Sequence, residues 1–168
     1  MGEVMRKLTK REERAFTKHA FQQDFIEEGS GRKVYYFRDV FVVKIAKNRN
    51  GRRQNKLEVQ RFSKYGSEKL AKIIAYSKNV IIMERVNNDI EFLQQVAPEK
   101  SFALGKWLDE ICGIESEDHY ESQGLRSNGD LVAYDYGDSK QTYPKRLLRE
   151  IRVREEIATE GADILCQD

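Results

Sequence analysis

Cysteine and long apolar runs are scarce in this 168-residue sequence, and each scarcity excludes a class of protein. The two cysteines, Cys112 and Cys166, lie far apart and form no CxxC pair, which argues against a disulfide framework and against a zinc site. The longest apolar runs, residues 40–45 and 80–83, are much shorter than the roughly 20 residues of a membrane-spanning helix. The amino terminus is charged, unlike a signal peptide. We therefore expect a cytoplasmic protein with no membrane partner.

An excess of charge of one sign is also missing. Thirty Lys and Arg residues balance 28 Asp and Glu residues, which is typical of a globular chain and not of a disordered one. The basic residues concentrate in residues 1–14 and 44–56, so nucleic-acid binding is an alternative to consider. No aromatic residue interleaves with the run at 47–53, and the pI of about 8.4 is low for such a protein. We expect nucleic acid not to be the main partner.

The hydrophobic periodicity predicts an α+β fold. Residues 33–37 and 40–46, and residues 73–76 and 80–84, have the composition of two β-hairpins. Helical spacing occurs in residues 5–28, 54–65, 88–96, 102–111 and 144–157. Gly66 and Gly113 are predicted to end the second and the fourth of these helices. The Asn128-Gly129 pair predicts one more tight turn, between Leu125 and a strand at 131–134.

A turn of small residues, Gly29-Ser30-Gly31, runs directly into the first predicted strand. Glycines in such a turn let the backbone approach a ligand and direct its amides at phosphate oxygens, although an ordinary helix-to-strand loop has the same composition. Lys33 stands where a third glycine is often found. Arg32 and Lys33 either contact phosphate or are exposed.

Lys44 lies within an otherwise apolar strand, Val-Val-Lys-Ile. A buried ammonium group needs a counter-charge or an anionic ligand, because its desolvation costs on the order of several kcal/mol. Glu58, on the next predicted helix, is a candidate for that counter-charge. The alternative is that Lys44 faces solvent from a half-buried strand.

Asp135 comes directly after the predicted apolar strand at 131–134 and is followed by Tyr136 and Gly137. A carboxylate at the end of a strand suits a divalent cation, and the glycine permits a sharp turn. A solvated aspartate in a strand-end turn would have the same pattern.

In this order, the glycine turn, the Val-Val-Lys-Ile strand, the helix glutamate and the Asp-Tyr-Gly segment resemble the protein kinase superfamily, and in particular small kinase-like proteins of bacteria and phages. The resemblance covers about residues 25–140. It implies that Lys44 contacts the α- and β-phosphates of ATP and pairs with Glu58, and that Asp135 binds Mg²⁺.

The resemblance also implies the arrangement of the chain. A single kinase-like domain over residues 1–168 would have a small antiparallel-sheet N-lobe with one helix, at about 25–86. A reduced, mostly helical C-lobe would follow at about 87–168. Glu84 and Val86 lie in the segment that resembles the hinge, whose backbone would hold adenine.

The catalytic loop departs from the family pattern. Asp118 and Gln123 have the separation of a catalytic aspartate and a magnesium-binding asparagine, but no HRD sequence precedes them. On the resemblance, Asp118 and Lys44 would be catalytic and Gln123 would join Asp135 at the metal. Asp118 would equally fit a solvated acidic loop.

Two functions follow from the resemblance. The first is an ATP- and Mg²⁺-binding kinase-like protein that transfers phosphate. Little sequence follows Gly137, so we expect no peptide-binding lobe and an acceptor that is small, partner-bound or the protein itself. The second is an inactive pseudokinase that regulates or inhibits a host protein by binding it. Nucleic-acid binding remains a third possibility.

Overall fold

The computed structural model describes residues 4–20, 22, 27–89, 91, 93, 95, 97–140 and 142. The elements, in chain order, are β1 (Arg6–Lys7), α1 (Lys10–Ala20), β2 (Glu27–Glu28), β3 (Arg32–Phe37), β4 (Phe41–Ala46), α2 (Arg49–Tyr65), β5 (Ile73–Tyr76), β6 (Val80–Glu84), α3 (Pro98–Cys112), α4 (Asp118–Glu121), β7 (Gln123–Leu125) and β8 (Leu131–Ala133). This order of elements confirms the predicted α+β class. The division into lobes at 25–86 and 87–168 stays a prediction.

Six strands form the larger sheet, in the order β1-β5-β6-β4-β3-β2. All neighbours are antiparallel except β1, which pairs parallel to β5. The predicted hairpin of β3 and β4 is present, and its turn places Arg38 and Asp39 at positive φ. The β5–β6 hairpin is also present. Lys44 on β4 lies between Val34 of β3 and Ile81 of β6, in the middle of the sheet.

Helix α2 begins earlier than the predicted residue 54. Asn48 is its N-cap and accepts a hydrogen bond from the Gly51 amide at 3.0 Å. The prediction left the polar, glycine-containing stretch before residue 54 outside the helix. The cap satisfies an otherwise unpaired amide, so the helix includes Gly51, and it ends at Tyr65, before Gly66, as predicted.

The opening helix is shorter than the predicted 5–28. Thr9 and Glu12 form a reciprocal cap, in which the Thr9 amide donates to the Glu12 carboxylate at 2.8 Å and the Glu12 amide donates to the Thr9 hydroxyl at 3.2 Å. Helix α1 therefore starts at Lys10. Glu27–Glu28 belong to a strand instead of the helix.

The residues that follow β6 are called here the second part of the chain. Their helix α3 and small β7–β8 sheet pack against one face of the larger sheet. Gly113 ends α3 in the left-handed conformation, and Gly129 provides the tight turn between β7 and β8. Both positions match the sequence prediction. The predicted helix at 144–157 lies outside the described residues, and the predicted helix at 88–96 is only partly within them.

Two apolar clusters hold these layers together. One joins α2, the β5–β6 hairpin, α3 and β8, and its members include Phe62, Leu70, Met83, Leu108 and Tyr136. The other lies on the opposite face of the sheet, against α1. The first cluster fixes how the second part of the chain sits under β4 and α2. In the part of the chain that the structure describes, no helix is both long and apolar enough to cross a bilayer.

Candidate functional site

A cavity of about 440 Å³ opens between the larger sheet and the second part of the chain. We call it the cleft. Most of the residues predicted from the sequence line it: Gly29, Ser30, Gly31, Lys44, Glu84, Val86, Asp118 and Asp135. Glu58 lies behind Lys44, and Gln123 is not among the described residues that line the cleft.

Lys44 and Glu58 form a buried ion pair. The Lys44 Nζ lies 2.8 Å from Glu58 Oε1 and donates to the Tyr134 carbonyl at 2.5 Å. The two side chains are 3% and 0% exposed. Their elements explain the meeting, because β4 places Lys44 in the centre of the sheet and α2 packs its Glu58 face against that sheet. The alternative of a solvent-facing Lys44 is wrong.

Arg32 joins this pair in a way that the sequence did not indicate. Its Nη1 lies 3.0 Å from Glu58 Oε1, and its Nη2 lies 2.6 Å from Asp135 Oδ1. The Arg32 side chain is 6% exposed. The alternative of an exposed Arg32 is wrong, and a contact between Arg32 and phosphate stays a prediction. Arg32 lies just after the glycine turn. The two carboxylates that it contacts are distant in the sequence and come close to it only in the folded chain.

The two cations keep Asp135 ionised. Burial alone would raise the pKa of the Asp135 carboxyl, but Lys44 and Arg32 outweigh burial and hold that pKa well below its usual range. The Lys44 Nζ lies 3.7 Å from Asp135 Oδ1. Four charged groups, two of each sign, thus form one connected cluster at the floor of the cleft.

The predicted Mg²⁺ site does not fit this arrangement. One oxygen of Asp135 already accepts from a guanidinium, with an ammonium group close by. Gln123 is fully buried, and its amide nitrogen donates to the carbonyls of Ser101 and His119, both at 3.0 Å. Among the described residues, no group of three or more His, Cys, Asp or Glu side chains is arranged to hold a metal ion.

Asp138 lines the cleft, although no sequence pattern indicated it. Its Oδ2 lies 4.0 Å from Nε2 of buried His119, whose Nδ1 lies 2.6 Å from Asp109. Burial, followed by the nearby charge of Asp135, raises the pKa of Asp138 to about 6. A carboxyl group that titrates near neutrality therefore lines the cleft beside Asp135.

The glycine turn is fastened to the start of α2. The Lys47 amide donates to the Gly31 carbonyl at 2.8 Å, and the Asn48 side-chain amide donates to the Ser30 carbonyl at 2.9 Å. Gly31 and Gly51 touch so closely that a Cβ on Gly51 would lie 2.0 Å from the Gly31 oxygen. Two glycines, one on each element, make this contact possible.

The hinge-like segment has its own internal bonds. The Glu84 carboxylate accepts from Arg126 Nη2 at 2.6 Å and from the Lys72 amide at 2.7 Å. The Glu84 amide donates to the Lys72 carbonyl, and the Arg85 amide donates to the Val40 carbonyl. The Glu84 side chain therefore holds the strands together, and its role toward a ligand stays a prediction, as does that of Val86.

Asp118 is the first residue of the short helix α4 and lies exposed at the mouth of the cleft. Glu121 and Ser122, from the same helix and the residue after it, also line the cleft. The spacing of Asp118 and Gln123 does not place both side chains at one point, since one faces the cleft and the other is buried beneath it.

A second cavity, of about 640 Å³, lies on the far side of α2. Its lining joins the two basic segments of the sequence and contains six cationic side chains: Lys7, Arg49, Arg52, Arg53, Lys56 and Lys78. No acidic residue is found in the described lining. We call this surface the basic hollow.

No protein-family model matches the chain, and no curated protein matches it either. Solved structures that it resembles include APH(2")-IIa with streptomycin and ATP, 18% identical over 61% of this chain and 40% of the other, with a TM-score of 0.39. The gentamicin complex of APH(2")-IIa is 17% identical over 66% of this chain and 41% of the other, with a TM-score of 0.38. WbdD with the kinase inhibitor LY294002 is 13% identical over 77% of this chain and 36% of the other, with a TM-score of 0.40. The chain spans less than half the length of these proteins.

Proposed function

We propose that this chain is a protein-kinase-like domain that binds the phosphates of ATP in the cleft. The observation that supports this most is the buried pair of Lys44 and Glu58 below the glycine turn. An ammonium group held by a helix carboxylate, inside a cavity lined by a glycine turn, is the arrangement by which kinases hold phosphates. The order of these elements along the chain agrees with it.

The charges of the cleft suit an anionic ligand better than its five acidic residues suggest. Asp135 is neutralised by Arg32, and Glu84 is neutralised by Arg126. Asp118 and Glu121 lie toward the mouth, and Asp138, the fifth acid, lies beside Asp135. Lys44 and Arg32 both line the interior, so a triphosphate would meet cations at the floor.

Two features favour binding without phosphate transfer. Gln123 is buried away from the cleft, and Asp135 is held by a guanidinium group. We therefore keep the pseudokinase, a nucleotide-binding protein that acts on a protein partner, beside the phosphotransferase. If transfer occurs, Asp118 is the acidic side chain of the cleft that would take the acceptor's proton.

The test is thermal unfolding with and without ATP, followed by mass spectrometry for added phosphate. We expect ATP at about 100 times its Kd to stabilise the wild-type chain by about 2.7 kcal/mol. Lys44→Met should lose this stabilisation, yet still fold, because Arg32 still forms an ion pair with Glu58. Lys72→Met, an exposed lysine outside the cleft, is the control.

Each outcome has a distinct meaning. An equal ATP-induced shift in Lys44→Met and wild type would contradict the proposed phosphate contact. Added phosphate on the protein would favour the phosphotransferase, and stabilisation without added phosphate would favour the pseudokinase.

The basic hollow is the observation that favours a second candidate function, nucleic-acid binding. Folding brings the basic residues of the amino-terminal segment and of α2 together around it. A labelled oligonucleotide whose affinity falls steeply with salt would support this function, because the affinity would come from released counterions.

A further inference from the structure

Arg32 occupies an unusual position for a basic residue near a phosphate-binding site. Its guanidinium bridges Asp135, at 2.6 Å, and Glu58, at 3.0 Å, and donates more weakly to Asn55 at 3.4 Å. All three partners come from other elements of the chain. A planar guanidinium suits such bridging, because its donors form a fixed fork that matches carboxylate oxygens.

The backbone around Arg32 is fastened, so the side chain enters the cluster from a fixed point. Arg32 pairs with Ala46 across the β3–β4 ladder, and its carbonyl accepts from the Gly29 amide at 3.0 Å. The preceding Gly31 is pressed against α2, where a Cβ would lie 2.6 Å from Gln54 Oε1. Moving the guanidinium out of the cluster would leave Asp135 without its closest cation.

A divalent ion on Asp135 would therefore meet a carboxylate that two cations already hold. Arg32 and Lys44 lie 2.6 Å and 3.7 Å from Oδ1, so the ion would bind through the other oxygen, a short distance from both cations. Like charges at such distances repel strongly inside a protein. Gln123, the predicted second ligand, is fully buried and is not among the described residues that line the cleft, so it offers no compensation.

We propose that Arg32 takes the place of the divalent metal in this cleft, so that ATP binds without Mg²⁺. The guanidinium pairs with Asp135 and, with Lys44, lines the floor of the cleft where the phosphates would lie. This inference rests on the proposed function, ATP binding in the cleft, and adds the form of the ligand: the nucleotide free of metal.

The experiment is a calorimetric titration of the full chain with ATP, once with EDTA and once with Mg²⁺. For the wild type we expect affinities that agree within about threefold, a difference of less than 1 kcal/mol by the usual conversion. Arg32→Gln should bind ATP at least tenfold more weakly in EDTA and regain affinity in Mg²⁺, because Asp135 is then open to the ion. Arg14→Gln, at an exposed position of α1 that is not part of the described lining, should behave as the wild type.

The outcomes separate this inference from the function on which it rests. Wild-type binding that is more than tenfold weaker in EDTA than in Mg²⁺ overturns the role of Arg32 and leaves ATP binding intact. No ATP binding in either buffer overturns the proposed function itself. Unchanged binding of Arg32→Gln in EDTA also overturns the inference. The comparison of buffers needs only the wild-type chain, so it decides the matter even if Arg32→Gln does not fold.

Discussion

At the scale of single residues, the cleft is organised by one buried carboxylate. Glu58 Oε1 lies within 3.0 Å of both Lys44 and Arg32, so a single oxygen fixes two cations from different strands. Buried ion pairs of this kind add little net stability, because desolvation offsets most of their attraction. Their consequence here is geometric, since they set where positive charge faces the cleft.

At the same scale, Asp138 leads to a prediction about how the free energy of unfolding depends on pH. Its pKa in the folded chain is about 6, above the ordinary value near 3.9 in an unfolded chain. Between these values the folded state binds more protons than the unfolded state, so Asp138 lowers the free energy of unfolding as the pH rises through this window. The cost is complete above about pH 6 and absent below about pH 4.

Asp138→Asn removes a charge that the fold disfavours. The variant should match the wild type near pH 4 and should be more stable above pH 6, by at most about 3 kcal/mol. Urea unfolding of both proteins across pH 4–8 measures this difference. Asp39→Asn, a fully exposed aspartate, is the control and should show no such rise. A difference for Asp138→Asn that does not change with pH would contradict the assignment.

At the scale of elements, the contact between the glycine turn and α2 decides where the cleft wall stands. Gly31 and Gly51 meet backbone to backbone, and Lys47 and Asn48 bond the carbonyls of the turn. The same short stretch of chain that caps α2 therefore also holds the turn. A side chain at either glycine would push these two elements apart.

Gly51→Ala tests this contact against helix propensity. In an exposed helix, alanine would stabilise the chain by about 1 kcal/mol relative to glycine. Here the new Cβ would lie 2.0 Å from a backbone oxygen, so we expect a net loss of about 1–3 kcal/mol in the free energy of unfolding. Urea denaturation measures the loss.

Gly29→Ala is the matched control for Gly51→Ala. A Cβ at Gly29 would lie 3.9 Å from the Arg32 carbonyl, which is an ordinary contact. We expect this variant to unfold within about 0.5 kcal/mol of the wild type. A Gly51→Ala protein as stable as Gly29→Ala would show that α2 and the turn are not in the contact described.

At the scale of the whole molecule, the two sheets are joined beside the cleft. Arg126, in the turn between β7 and β8, donates to the Glu84 carboxylate and to the carbonyls of Ser67 and Leu70. Leu70 also bridges to Ala133 of the smaller sheet. The cleft floor depends on this junction, because Tyr134 and Asp135 directly follow β8, the strand that it positions.

Arg126→Met should weaken the junction. Glu84 would lose its cation and two backbone carbonyls would lose a donor, in a site where Arg126 is only 16% exposed. We expect a loss of about 2–4 kcal/mol, measured by urea denaturation. Arg14→Met, at an exposed position of α1, should change the stability by less than about 0.5 kcal/mol. Equal effects in the two variants would show that Arg126 does not hold the two sheets together.

The sequence by itself determined the local structure and the candidates for the site. Short segments rich in Val, Ile, Tyr and Phe predicted both hairpins of the larger sheet, and Gly113 and the Asn128-Gly129 pair predicted a helix end and a turn. These features depend on residues near one another in the chain. The lysine in an apolar strand was informative for the same reason, since a buried ammonium needs a partner wherever the chain goes.

Only the tertiary structure decided which charges share the cleft. The Arg32–Asp135 ion pair joins residues 103 positions apart, and no local pattern indicates which of many carboxylates a given arginine will meet. The same holds for Gln123, whose spacing from Asp118 suggested a metal ligand but whose side chain is buried beneath the cleft. Spacing along the chain fixes sequence separation, whereas packing of the sheet, α2 and the second part of the chain fixes distance in space.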